Sequence, residues 1–215
     1  MDVVEKTSII YSNSGNLIIP IVTAIFGKEW VIYSAGYLSV QTILLWSHGR
    51  MMLCEDKRID LRKIFMNINI LAVLAGGICF VSGVTLPAPA LDAIDSVGVM
   101  IGPSAMIVTG MIIGSMDFKK LLSYRRLWFI TLMRLLIYPV IGVAFLKFSG
   151  ITGVVAEGAT LLMITLLAMT TPAASTVTQM AQVYGKDADY ASAINVVTTL
   201  FCIVTMPLMI TLYQI

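Results

Sequence analysis

The chain has 215 residues, of which 58% are hydrophobic and only 12% charged, with a mean hydropathy of +0.92; water-soluble domains run at about 45–50% apolar and about 25% charged. The 14 Lys and Arg nearly cancel the 12 Asp and Glu, so a net charge of +2 gives no basic footprint for a phosphate backbone. These figures exclude an ordinary soluble enzyme, a disordered chain and a nucleic-acid binder, and they make the lipid bilayer the first partner.

Roughly 20 apolar residues cross a bilayer core, and seven such stretches follow one another. In chain order they are A (7–26), B (29–48), C (65–84), D (96–115), E (127–148), F (158–180) and G (190–213). Arg50, Lys57, Arg58, Arg62 and Lys63 lie between B and C, and Lys119, Lys120, Arg125 and Arg126 between D and E. The C–D connection, with Pro87, Pro89, Asp92 and Asp95, has neither Lys nor Arg. If each segment crosses once, one side collects these nine with Lys6 and Lys186, and the other only Lys28 and Lys147. The basic side is then cytoplasmic. The expectation is an all-α integral protein of the plasma (inner) membrane, its first residues inside and Ile215 outside. Residues 117–126 read as an amphipathic stretch along the cytoplasmic interface.

Catalytic chemistry finds little to work with. Cys54, Cys79 and Cys202 have no metal-ligand spacing and read as small core residues, and His48 is the single histidine. No cofactor, metal ligand or catalytic group is implied. The first apolar run follows Asp2, Glu5 and Lys6 and is interrupted by Ser12, Asn13, Ser14 and Asn16, unlike the core of a cleavable signal.

A repeat carries more information. Phe26-Gly27-Lys28-Glu29 followed by Ser34-Ala35 returns as Tyr184-Gly185-Lys186-Asp187 followed by Ser192-Ala193, at a constant offset of 158 residues. The offset maps A onto F and B onto G, five crossings apart, so the copies run in opposite directions, the mark of an inverted-topology repeat. Residues 1–64 read as the end of a first repeat (A and B) and 65–215 as a complete second one (C to G). The partners of C, D and E would fall before Met1, which makes the expected chain seven of ten helices.

A and F are each interrupted by polar residues and a proline: Ser12 to Asn16 with Pro20 in A, and Thr170 to Ser175 with Pro172 in F. Proline removes a backbone donor and pushes its predecessor out of helix, and hydrocarbon tolerates such a break only where protein or a watery cavity covers it. Thr171-Pro172 reads as an N-cap and first residue of a new half-helix. Two half-helix N-termini aimed at one place make an anion site. The plainer alternative is a pair of kinked helices whose Ser, Thr and Asn side chains only satisfy neighbouring backbone.

Ser12 to Pro20, Val40-Gln41-Thr42-Ile43-Leu44-Leu45-Trp46, Arg134-Leu135-Leu136-Ile137-Tyr138-Pro139, and Thr171 to Ser175 with Tyr184 to Asp187 together resemble the auxin efflux carrier family, which includes plant PIN-type carriers and bacterial carboxylate permeases. The resemblance covers nearly the whole chain. It implies ten helices in two inverted halves of five, with A and F as the broken fourth and ninth that cross at the substrate site. It also implies C and D as scaffold, and A, B, E, F and G as the moving unit of an elevator. The function it implies is export of a small organic anion, auxin-like or a dicarboxylate, with a homodimer open. The alternative is a non-transporting sensor or an inactive fragment.

The substrate-binding candidates are Asn13, Ser14, Asn16, Pro20, Gln41, Thr171, Pro172, Ser175 and Asn195, with Thr178 as a further hydroxyl on F. Asn13 and Asn16 have amide hydrogens for a carboxylate, and Gln41, mid-span in B, is costly to bury uncompensated; its repeat position is Thr199. Arg134, seven residues into E, is expected to snorkel to the interface rather than serve the pathway. Lys28 and Lys186 read as interfacial anchors, and Gly102-Pro103-Ser104 as a packing kink. An intramembrane serine protease would need a histidine near Ser104, but His48 lies at a membrane edge. A retinal receptor would need a lysine in its last helix, and G has none.

Overall fold

Apolar runs of this length are too long for strands and fold as helices, which make up most of what the computed structural model describes: residues 1–54, 66, 68–100, 103, 104, 107, 110, 111, 114, 124–148, 150 and 157–214. Among the described residues nine helices have both ends defined, in order: α1 (Val3–Ile10), α2 (Ser14–Ile25), α3 (residues 31–54), α4 (Ile68–Ser82), α5 (Ala88–Val99), α6 (Arg125–Phe148), α7 (Gly158–Thr170), α8 (Ser175–Val183) and α9 (Ala188–Gln214). Asp2 and Glu5 form a capping box at the start of α1. Two helices widen into single π turns, α3 at Leu45–Gly49 and α6 at Met133–Ile137, a feature often found at functional sites. By length and composition α6 and α9 can each cross a membrane, while α2, α4 and α7 are apolar but shorter.

Segments A and F are each two helices rather than one, as their polar interruptions suggest. The break in A falls at residues 11–13, and Ser14, Gly15 and Asn16 already belong to the first turn of α2. Pro20 is therefore not part of the break. It sits in the interior of α2, exposed, where it withholds one amide without ending the helix.

The connection between C and D is itself helical, and the first four residues of D, 96–99, belong to that helix, which ends at Val99 with Met100 as its C-cap. With Pro87 as N-cap and Pro89 in the first turn, where a missing N–H costs nothing, α5 starts at Ala88 and takes in Asp92 and Asp95, which the sequence reading placed in a connection. Most of D beyond Met100, the basic run after Cys54 and the amphipathic stretch at 117–123 lie outside the described residues.

Two apolar cores stack end to end. One gathers Val4 and Ile9 of α1, Leu53 of α3, Leu127 and Ile130 of α6, Val177 and Met180 of α8 and Ile194 of α9. The other gathers Ile18 and Val22 of α2, Val143 and Leu146 of α6, Leu166 and Leu167 of α7 and Met206 of α9. Between them lies a buried polar layer that includes Ser12, Asn13, Ser14, Arg134, Thr171, Ser175, Asn195 and Thr198. The outer faces are apolar, with Phe145, Phe148, Ile203 and Val204 exposed on α6 and α9. In lipid such faces cost nothing, so close packing and hydrogen bonding in the middle layer, rather than a hydrophobic drive, hold the helices in place.

Candidate functional site

The two breaks touch. Ser12 and Ala173 form an isolated antiparallel bridge, in which the Asn13 amide donates to the Pro172 carbonyl at 2.8 Å and the Ala174 amide donates to the Tyr11 carbonyl at 3.0 Å. The exchange is reciprocal, as an antiparallel bridge requires, and it satisfies four backbone groups that the interrupted helices would leave bare.

A neighbouring helix serves the remaining groups on each side. From α3, Gln41 donates its amide to the Ser12 carbonyl (2.5 Å) and accepts the hydroxyls of Ser12 (2.9 Å) and Ser14 (2.5 Å). From α9, Asn195 donates to the Ala173 carbonyl (2.7 Å) and the Thr198 hydroxyl accepts the Ala173 amide (3.1 Å). The paired residues of the bridge thus each have a polar clamp from the helix that follows their own.

Four helix ends meet here. α1 and α7 arrive with their C-termini, and α2 and α8 leave with their N-termini. The N-caps of α2 and α8 are Asn13 and Ala174, and neither makes a side-chain cap bond; the third amide of each helix, Asn16 and Val177, bonds the cap carbonyl (3.3 and 3.1 Å), which leaves the amides ahead of it without a side-chain cap. They open on a cavity of about 140 Å³ lined by Ser12, Asn13, Gly15 and Asn16 from the first break, Gln41, Thr42 and Trp46 from α3, Asn69 from α4, and Ala174 and Thr176 from the second break, with Leu38 and Leu45. The side chains at its floor are linked: the Asn13 oxygen accepts from Asn16 (3.0 Å) and from the Ser175 hydroxyl (3.3 Å), and Asn16 also reaches the Ser175 oxygen (3.4 Å). Oriented amides, a neutral polar floor and two positive helix ends suit a small anion.

The sequence itself matches a known family. A family model described as a membrane transport protein matches residues 52–210. The chain belongs to that family, the auxin efflux carrier or membrane transport family. No curated protein matches the chain. Membership makes it an integral membrane transporter, from a family of transporters rather than of enzymes.

In this family member, three of the nine sequence candidates, Asn13, Asn16 and Gln41, line the cavity. Ser14 is fully buried on Gln41, and Ser175 sits on the Asn13 oxygen just behind the wall. Asn195 is buried and committed to Ala173. Thr171 and Pro172 do not line the cavity. The expected Thr171 cap is not formed: Thr171 is instead the extended C-cap of α7, its hydroxyl bonded to the Ala168 carbonyl (2.8 Å), and α8 begins at Ser175. Proline at 172 keeps its predecessor out of helix, and the bridge holds the next two residues extended, so the half-helix starts three residues later than the sequence suggested. The Thr178 hydroxyl is buried without a partner among the described residues.

Arg134 does not snorkel. It is only 4% exposed, and from the π turn of α6 its guanidinium donates to the carbonyls of Ile9 (3.0 Å), Met169 (3.2 Å) and Thr171 (3.0 and 3.2 Å). Carbonyls at two helix C-termini, unpaired in a dry layer, hold the side chain more firmly than distant water could.

Sequence reasoning also missed Tyr11, whose hydroxyl donates to the Leu44 carbonyl (2.9 Å) and lies 2.8 Å from His48 Nδ1. Its position beside the polar run was the available signal. Thr198 was missed by one residue, since the repeat pointed to Thr199, whose hydroxyl is spent on the Asn195 carbonyl.

The repeated Gly-Lys motif proves to be turn chemistry. Gly27 and Gly185 both take positive φ, +103° and +63°, directly after a half-helix. Asp187 then caps α9 through the Tyr190 amide (2.9 Å).

Proposed function

We propose that the chain is a secondary-type carrier that exports a small organic anion, auxin-like or a dicarboxylate, across the plasma (inner) membrane by an elevator motion. Segments A to G would each cross once, with the N-terminus inside and the C-terminus outside. The offset-158 motif and the reciprocal bridge between Ser12 and Ala173 support reading the two broken helices as halves of an inverted repeat.

One observation carries the reading: the N-termini of α2 and α8, both lacking a side-chain cap, open on the same cavity beside Asn13 and Asn16. In this reading Asn13 and Asn16 offer amide hydrogens to the carboxylate and the first-turn amides of α2 and α8 complete its shell. Ser14, Gln41, Thr171, Pro172, Ser175 and Asn195 shape the crossover around them. Helices α1, α2, α3 and α6 to α9 share the two cores and move together, and α4 and α5, with D, form the static part.

The test is equilibrium binding and vesicle flux of labelled malonate and indole-3-acetate by the reconstituted chain, with Asn16→Ala as the variant. A hydrogen bond to a charged ligand contributes about 1.5–3 kcal/mol, so affinity should fall roughly 10- to 100-fold in a protein that stays folded. Unchanged binding and flux would place the anion elsewhere, and binding without any flux in the parent chain would favour a sensor.

A further inference from the structure

A broken helix has two ends of opposite sign, and at this crossing both kinds converge. The N-termini of α2 and α8 carry partial positive charge and the C-termini of α1 and α7 partial negative charge. Left alone, the four ends nearly cancel. The last carbonyls of such C-termini are also the groups that collect a coupling cation in carriers with discontinuous helices. Here those carbonyls are already engaged: Ile9 at the end of α1, and Met169 and Thr171 at the end of α7, accept four bonds of 3.0–3.2 Å from Arg134. All four go to neutral oxygens, and among the described residues no carboxylate lies within ion-pair distance of the guanidinium.

We propose that Arg134 is a built-in cation that occupies the place of a coupling ion and gives the crossover its preference for anions. It neutralises the negative helix ends permanently and leaves the positive ends of α2 and α8 to face the cavity. It also ties α1 to α7, so the two halves of the crossing travel as one piece. The inference deepens the carrier reading above: Arg134 positions and charges the site without being one of the residues that line it. Loading with anion then needs no sodium, because the carbonyls that would bind sodium are filled.

The experiment reads thermal melting of the full chain in detergent, in sodium chloride, in choline chloride, and in choline with millimolar guanidinium. The parent chain should melt alike in all three. Arg134→Ala empties the carbonyl cluster without removing it, so its melting should rise by roughly 5 °C or more in sodium or guanidinium relative to choline. A parent chain stabilised to that extent by sodium, or a folded Arg134→Ala variant indifferent to all three salts, would overturn the proposal. If Arg134→Ala does not fold, Arg134→Lys and Arg134→Met decide. The lysine variant keeps the charge and should fold, and methionine fills the space without charge and should not; the reverse result overturns the proposal. Melting is read without substrate, so a chain that binds neither malonate nor indole-3-acetate defeats the carrier reading alone.

Discussion

Gln41 binds Ser12 twice over, donating its side-chain amide to the Ser12 carbonyl at 2.5 Å while its oxygen takes the Ser12 hydroxyl at 2.9 Å. A primary amide offers a donor and an acceptor side by side without titrating, and a helix break presents that combination. The break can therefore lie in a buried layer with its Ser12 carbonyl paired.

Gln41→Leu should destabilise the chain by about 2–4 kcal/mol, because it leaves the Ser12 carbonyl and two hydroxyls buried without a partner. Gln41→Glu should cost a similar amount for a different reason: an ionised carboxylate still accepts from Ser12 and Ser14 but has no hydrogen for the carbonyl, and it adds a negative charge beside the cavity proposed to take an anion. Thermal melting checks the first and malonate binding the second. A leucine variant that melts like the parent would show that the clamp is incidental.

On the other side of the bridge, Thr198→Val keeps the shape and removes only the oxygen that accepts the Ala173 amide at 3.1 Å. The expected loss is about 1–3 kcal/mol. Hydrogen exchange at Ala173 should accelerate while exchange in the core of α9 does not. If exchange rises along the whole of α9, the effect is one of helix packing and not of the clamp.

The existence of both breaks was legible because a cluster of serine, threonine, asparagine and proline in the middle of an apolar run is costly in hydrocarbon unless the backbone there is interrupted or covered. Their registers were not. Pro20 looked like a breaker but lies where α2 tolerates a missing donor, and Thr171 looked like a cap although its neighbour's bridge to Ser12 delays the helix to Ser175. The second outcome depends on a contact between residues about 160 positions apart, which no local pattern carries. Arg134 was misplaced for the same reason: spacing from the end of the helix argued for the interface, while the carbonyls that hold it belong to α1 and α7. Asn13, Asn16 and Gln41 were found because an uncharged amide in an apolar run must be satisfied by something, and all three meet their partners at the break.

Near the end of α3, Arg50 donates from Nε to the Tyr184 hydroxyl at 2.9 Å, joining α3 to the C-cap of α8. Burial holds the Tyr184 phenol above its ordinary value, against the opposing pull of Arg50. An acid whose folded pKa is raised contributes stability that is complete below its free value, about 10 for tyrosine, and is lost as pH climbs through the folded value. Stability of the parent chain should therefore fall above about pH 10, and Tyr184→Phe should flatten that fall while changing neutral stability by less than about 1 kcal/mol. Melting profiles for the two proteins that run parallel through the alkaline range would refute the assignment.

Gly49 closes the π turn of α3 against Tyr11, and a methyl group there would stand 2.9 Å from the Tyr11 ring and 3.2 Å from the Leu45 side chain. The ring cannot retreat, since its hydroxyl is tied to the Leu44 carbonyl and His48 and its own carbonyl accepts the Ala174 amide of the second break. Helix propensity alone would make Gly49→Ala stabilising by about 1 kcal/mol. Overpacking against a tethered ring reverses the sign, to a loss of about 1–3 kcal/mol, and the displacement passes through Tyr11 into the crossover. The double-mutant cycle with Tyr11→Ala isolates that path: without the ring, Gly49→Ala should no longer destabilise, giving a coupling of at least about 1 kcal/mol between the two sites. Additive losses would mean that the methyl group meets Leu45 and not Tyr11, and that the π turn does not press on the break.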